Sequence, residues 1–221
     1  MNLKNNYFLF RHGESKSNKE EFVSSWPEKI YNPLTSKGTR QVKRVIKKLK
    51  KENIDLIFSS DLLRCNQTAE MIAKELNLKV IFDKKLRERD AGILNSKSVK
   101  EWHHFLNGTD GIFYKRTPGG ENIEDIKNRI KDFLSDIEAQ YENKNILVIS
   151  HGHPLLVFWG ITNNFSEKEF ISNKSKPKNA EIIKIKKQYE PRTEFSTGPA
   201  VADRITGQYK NKKHNKYLII K

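Results

Sequence analysis

The sequence predicts an α/β fold: a three-layer α/β/α sandwich around a mostly parallel, mixed sheet of about six strands. Three observations predict it. Short apolar runs alternate with amphipathic stretches along the chain, the pattern that covers both faces of a parallel sheet with helices. Two apolar runs, in FLFRHGES (residues 8–15) and ILVISHGH (146–153), end in His-Gly, where open α/β sheets bind ligands beyond their strand ends. No Pro-, Gly- or Ser-rich linker divides the 221 residues, a length that suits one domain, 1–221, with a full core.

Residues 7–11 form the first strand, since Tyr7, Phe8, Leu9 and Phe10 are all apolar. Residues 36–51 form a helix, because Val42, Val45, Ile46 and Leu49 recur at helical spacing. A short strand follows at 54–58. Asp61 then caps a helix that carries Ala69, Ile72, Ala73 and Leu76 on one face. Residues 79–82 make a third strand, and 83–120 are mostly irregular, with a short helix at 99–106. Pro118-Gly119-Gly120 breaks the chain before a long helix bearing Ile123, Ile126, Ile130, Phe133, Leu134 and Ile137. Residues 146–150 are the fourth strand. A helix at 155–161 has its start set by Pro154, and 180–186 alternate weakly as a fifth strand. Residues 187–221 are a C-terminal extension in which KYLIIK (216–221) reads as an edge strand, blunted by its lysines.

Composition narrows the function. Lys and Arg number 42 against 27 Asp and Glu, a net charge of +15. The basic residues are spread along a chain rich in Lys, Asn and Ile, with neither an RNA-binding aromatic signature nor zinc-finger spacing, so no specific nucleic acid is expected. No apolar run approaches the ~20 residues of a membrane helix, and the N-terminus does not read as a signal peptide. The single cysteine, Cys65, excludes an intrachain disulfide and fits a reducing, cytoplasmic setting. Nothing in the sequence sets the oligomeric state.

The strand-end polar residues are Arg11, His12, Asn18, Arg64, Glu88 and His151. Two arginines and two histidines suit a tetrahedral dianion, because guanidinium forks match phosphate oxygens. A neutral imidazole can attack phosphorus and form a phosphohistidine. Surrounding positive charge would keep that imidazole neutral and offset charge on the transferring group. A carboxylic acid with a raised pKa could protonate the leaving alkoxide. Gly13 and Gly152 are expected to allow sharp turns and close approach to a ligand. His151-x-His153 has the look of a metal pair, but no further ligand follows at suitable spacing, so neither metal nor cofactor is expected.

With these motifs in order, the chain resembles the histidine phosphatase (phosphoglycerate mutase-like) superfamily over residues 7–186. Arg11-His12-Gly13-Glu14, PLTSKGTRQ (33–41), SSDLLRCNQTAE (59–70), LRERDAG (86–92), PGGEN (118–122) and VISHGH (148–153) are similar to that family's blocks. The resemblance implies that His12 is the nucleophile, that Arg11, Arg64 and His151 bind the phosphoryl group, and that Glu88 is the proton donor. Asn18 would add a contact to the phosphoryl group or substrate.

The expected function is hydrolysis of small phosphorylated metabolites through a phosphohistidine on His12. The stretch 92–118 is shorter than the corresponding insertion of the family's mutases, and Ser96 stands where they carry a glycine. Lys115-Arg116 keeps a cofactor-dependent phosphoglycerate mutase as the alternative, because the pair could hold a carboxylate or second phosphate. A non-catalytic module binding phosphoanions or nucleic acid is the second alternative. Trp102, His103, His104, Phe105, Phe113 and Tyr114 make 92–118 aromatic and a candidate lid.

Overall fold

The computed structural model describes residues 3–106, 114–172, 176–187 and 217–220. Six strands form one sheet in the order β3-β2-β4-β1-β5-β6. They are β1 (Asn6–Arg11), β2 (Leu56–Ser59), β3 (Val80–Phe82), β4 (Asn145–Ser150), β5 (Ile182–Ile185) and β6 (Tyr217–Ile220). The first four run parallel, while β5 lies antiparallel to β1 and β6 antiparallel to β5. The sandwich is thus mixed, as expected, and Tyr217–Ile220 forms the edge strand read into 216–221.

Alternate side chains of each strand serve opposite faces. Phe8, Phe10, Ile57, Leu147 and Ile149 pack beneath α2 (Ser36–Leu49) and α3 (Leu63–Leu76). Tyr7, Leu9, Phe58, Ile146 and Val148 pack on the other face. They meet the helices named here α5 (Ile123–Gln140) and α6 (Gly152–Thr162). α6 is buried almost throughout, which explains why HPLLVFWGIT shows no amphipathic stripe. Shorter helices are α1 (Lys16–Glu20), α4 (Val99–Phe105) and α7 (Glu167–Ser172). Neither α1 nor α7 was expected from the sequence. Both are too short to show a helical period.

Helix starts account for the other departures. Thr35 caps α2 by accepting from Gly38 N at 3.0 Å. Ser98 with Glu101 and Asn122 with Asp125 form capping boxes for α4 and α5. Asp61 does not cap α3. It takes a fork of hydrogen bonds from Arg87 at 2.7 and 2.5 Å, and Glu28 caps in its place, accepting from Leu63 N at 2.8 Å. α6 begins at Gly152, ahead of Pro154, because a carboxylate described below satisfies its first N–H groups. Gly13 is needed for packing and not for a turn toward a ligand. A Cβ there would stand 2.7 Å from Gly38 O, and one on Gly38 only 2.0 Å from Glu14 O. The strand-end loop therefore rests directly on the first turn of α2.

Candidate active site

The central parallel pair sets the site. Arg11 lies opposite Ser150 in register, so β1 and β4 release Arg11-His12 and His151 side by side at their carboxyl ends. The His12 and His151 rings meet edge to face, 5.2 Å between centroids. Arg64 comes from the first turn of α3, and Glu88 from the irregular segment after β3. Sequence positions spread over 140 residues thus converge on one cleft of about 220 Å³.

His12 is buried and its Nδ1 lies 2.7 Å from Gly13 O. A neutral ring places its proton on that nitrogen, because the carbonyl can only accept. Nε2 then keeps its lone pair, toward which Arg64 Nε donates at 3.2 Å. Burial, with Arg64 and Arg11 beside it, holds His12 well below the usual imidazole range. Arg64 NH1 pairs with Glu28 Oε1 at 2.9 Å, and NH2 donates to Ser24 O at 3.1 Å. Arg11 donates through NH1 to Pro177 O at 2.8 Å, but its buried Nε meets no acceptor. A buried donor left this way is costly, and it belongs to a side chain that lines the cleft.

His151 is fully buried and sits behind His12 rather than in the cleft wall. Its Nε2 lies 2.8 Å from Ser60 Oγ and 3.4 Å from Cys65 Sγ. Burial first, and Arg64 next, hold its pKa well below the usual range. Cys65 is the small buried residue expected, its thiol pushed up by burial.

Glu88 lines the cleft and caps α6. Its carboxylate accepts from Gly152 N at 3.2 Å, His153 N at 3.4 Å and Arg89 N at 2.9 Å, with His153 Nδ1 3.2 Å away. Burial raises its pKa, but the His153 hydrogen bond and the charges of His153 and His151 outweigh that and hold it well below the usual carboxylate range. His153 itself is driven down to about 4, by burial and then by Lys176. Near pH 7 it is therefore neutral, and serves Glu88 as an N–H donor. This corrects the expectation of a raised carboxyl pKa: a carboxylate at a helix N-terminus, fed by backbone donors, stays ionised.

The structure brings Arg11, His12, Asn18, Arg64 and Glu88 to the cleft wall, with His151 behind. Asn18 Oδ1 accepts from Ser15 N at 3.1 Å and Asn179 Nδ2 at 3.0 Å, which turns its amide nitrogen away from those contacts. Lys115 and Arg116 do not line the cleft, which corrects their assignment to substrate. Arg116 pairs with Asp125 at 2.6 Å, and Lys115 Nζ lies 4.7 Å over the Phe105 ring. Trp102 and His103 do form a wall, while Phe113 falls outside the described residues. His151 and His153 face different partners, so they do not act as a pair. Sequence reasoning missed Glu28, Ser24 and Lys176. Glu28 sits 36 residues from Arg64, and no local signal joins them.

A deep imidazole with a free lone pair, ringed by guanidinium groups at the ends of parallel strands, defines a class of phosphoryl-handling α/β proteins. The family model of the histidine phosphatase superfamily (branch 1) matches residues 7–193, and the chain belongs to that superfamily. Among curated relatives, a probable phosphoglycerate mutase, GpmB, of Escherichia coli is 34% identical over 154 residues, covering 66% of this chain and 68% of that one. Its namesake from Proteus mirabilis is 35% identical over 152 residues, with the same coverage. Bacillus stearothermophilus YhfR superposes with a TM-score of 0.73 at 22% identity, covering 82% of this chain and 91% of its own. A phosphoserine phosphatase from Entamoeba histolytica, solved with 3-phosphoglyceric acid, gives 0.67 at 26% identity, covering 81% and 89%.

Proposed function

We propose that this protein hydrolyses small phosphomonoesters through a phosphohistidine on His12. One observation carries the reading: a neutral imidazole, its Nδ1 tied to Gly13 O, turns Nε2 toward a cleft that also holds the unpartnered buried Nε of Arg11. A phosphoryl oxygen would satisfy that donor. Arg64 Nε, now on His12 Nε2, would shift to a second oxygen and release the lone pair. Nε2 then attacks phosphorus as the P–O ester bond breaks, and the two guanidinium groups offset charge on the equatorial oxygens. His151, edge-on to His12, would contribute to the same oxygens after a small rotation.

The leaving alkoxide takes its proton from Glu88. Two negative charges arriving beside this carboxylate raise its pKa, because like charge disfavours the ionised form. The bound dianion thus makes the acid that the cleft otherwise keeps ionised. In the second half-reaction Glu88, now a carboxylate, takes a proton from water. The oxygen attacks phosphorus, the N–P bond breaks, and inorganic phosphate leaves.

Rapid quench under alkaline conditions should trap an acid-labile phosphoprotein, absent from His12→Ala. Full turnover by His12→Ala would sink the mechanism. Mutase activity is the second reading, favoured by the GpmB-named relatives. Against it, Arg116 is already paired with Asp125. Transfer between phosphoglycerates exceeding hydrolysis would install the mutase reading.

A further inference from the structure

One cation of the cleft is not explained by handling a phosphoryl group. Lys176 lines the wall opposite no acid of its own. The other cations there are held: Arg11 by Pro177 O, Arg64 by Glu28, and Arg89 by the carbonyls of Glu121 and Lys115. The Lys176 stem crosses the start of α6, with Cδ 3.2 Å from where a Cβ on Gly152 would stand. Among the described residues its ammonium has neither a hydrogen-bond acceptor nor an ion-pair partner. Burial lowers its pKa to about 8, Arg11 and Arg89 push the same way, and only Glu88 opposes them.

A lysine drawn into a cleft without a partner costs free energy that exposure to solvent would avoid. Such uncompensated charge marks binding sites more often than bare scaffold. Two guanidinium groups already match a phosphoryl dianion, so Lys176 is a surplus of one positive charge. Its complement is a group with one negative charge, a carboxylate. Beyond a phosphoryl group, a cleft of about 220 Å³ leaves room for only a few further heavy atoms, which keeps the two anionic groups on one small molecule.

We propose that Lys176 forms an anion subsite that selects small phosphomonoesters carrying a carboxylate. It takes the place that Lys115 and Arg116 were expected to fill. The inference rests on the phosphomonoesterase reading for its substrate, but its test reads binding as well as turnover.

Phosphoglycolate and ethyl phosphate are a matched pair that differ chiefly in the carboxylate. Calorimetric titration and steady-state kinetics are run on the wild-type chain, Lys176→Met and Lys176→Arg. The wild type should prefer phosphoglycolate. Lys176→Met should weaken phosphoglycolate by about tenfold or more, chiefly in Kd and KM, with a clearly smaller change for ethyl phosphate. Lys176→Arg should restore most of the preference. Equal weakening for both ligands would overturn the subsite and assign Lys176 to the phosphoryl group. No weakening for either would overturn it too. A wild type that shows the binding preference without turnover would support the subsite while defeating the phosphomonoesterase reading.

Discussion

Glu88 carries two duties that pull against each other: three backbone N–H groups favour its carboxylate, while the proposed chemistry needs its acid. Glu88→Gln keeps the shape and removes the proton. It should slow alkyl phosphates by roughly 10²–10⁴-fold and an activated aryl phosphate much less. Equal losses on both substrates would make Glu88 merely a cap for α6. Glu28 bears on the opposite side of the site. Its charge competes with any incoming dianion for Arg64, which it holds at 2.9 Å. Glu28→Gln keeps an acceptor for Leu63 N but removes that charge. Inorganic phosphate should then bind more tightly, by about 1 kcal/mol or near fivefold for a like charge at this remove. Weaker binding by calorimetry would instead show that Glu28 orients Arg64.

At the scale of elements, the site rests on two junctions: the strand-end loop on α2, and Glu28 on α3. For Gly38→Ala two effects compete. Alanine favours a helix over glycine by about 1 kcal/mol, but its Cβ would meet Glu14 O at 2.0 Å, and overpacking costs about 1–3 kcal/mol or more. The clash should win, lowering the urea midpoint and activity together, because the displaced loop carries His12. An unchanged midpoint would show that the loop moves freely. The elements also explain what was legible. β1 and β4 could be read because each is an apolar run stopped by His-Gly, a local signal. The start of α3 could not, because its cap comes from Glu28, far off in sequence, while Asp61 is drawn away by Arg87. Lys115 and Arg116 fitted an anion by residue type alone, yet Asp125 and Phe105 occupy them. Lys176 was hidden by the opposite problem, one lysine among many in NKSKPKNAE.

For the molecule as a whole, the buried imidazoles make stability depend on pH. The folded pKa of His153 is about 4, and those of His12 and His151 also lie well below the ordinary 6.5. Between folded and unfolded values the unfolded chain binds protons that the folded chain refuses, so stability falls as pH drops below 6.5. The slope is about 1.4 kcal/mol per pH unit for each such group. Below pH 4.5 Glu88 acts with the same sign, since its folded pKa is depressed. The urea midpoint should therefore be clearly lower at pH 5 than at pH 7. A higher midpoint at pH 5 would mean that these rings are charged in the fold. The pairing of β1 with β4 has a further, temporal consequence. Asn6 finds its partner only at Asn145, so a chain growing at roughly 5–20 residues per second exposes its first strand for on the order of ten seconds before that neighbour exists. Closing so long a loop is slow as well. His12 and His151 therefore meet late, and a nascent chain stopped short of β4 should have no partial activity to offer.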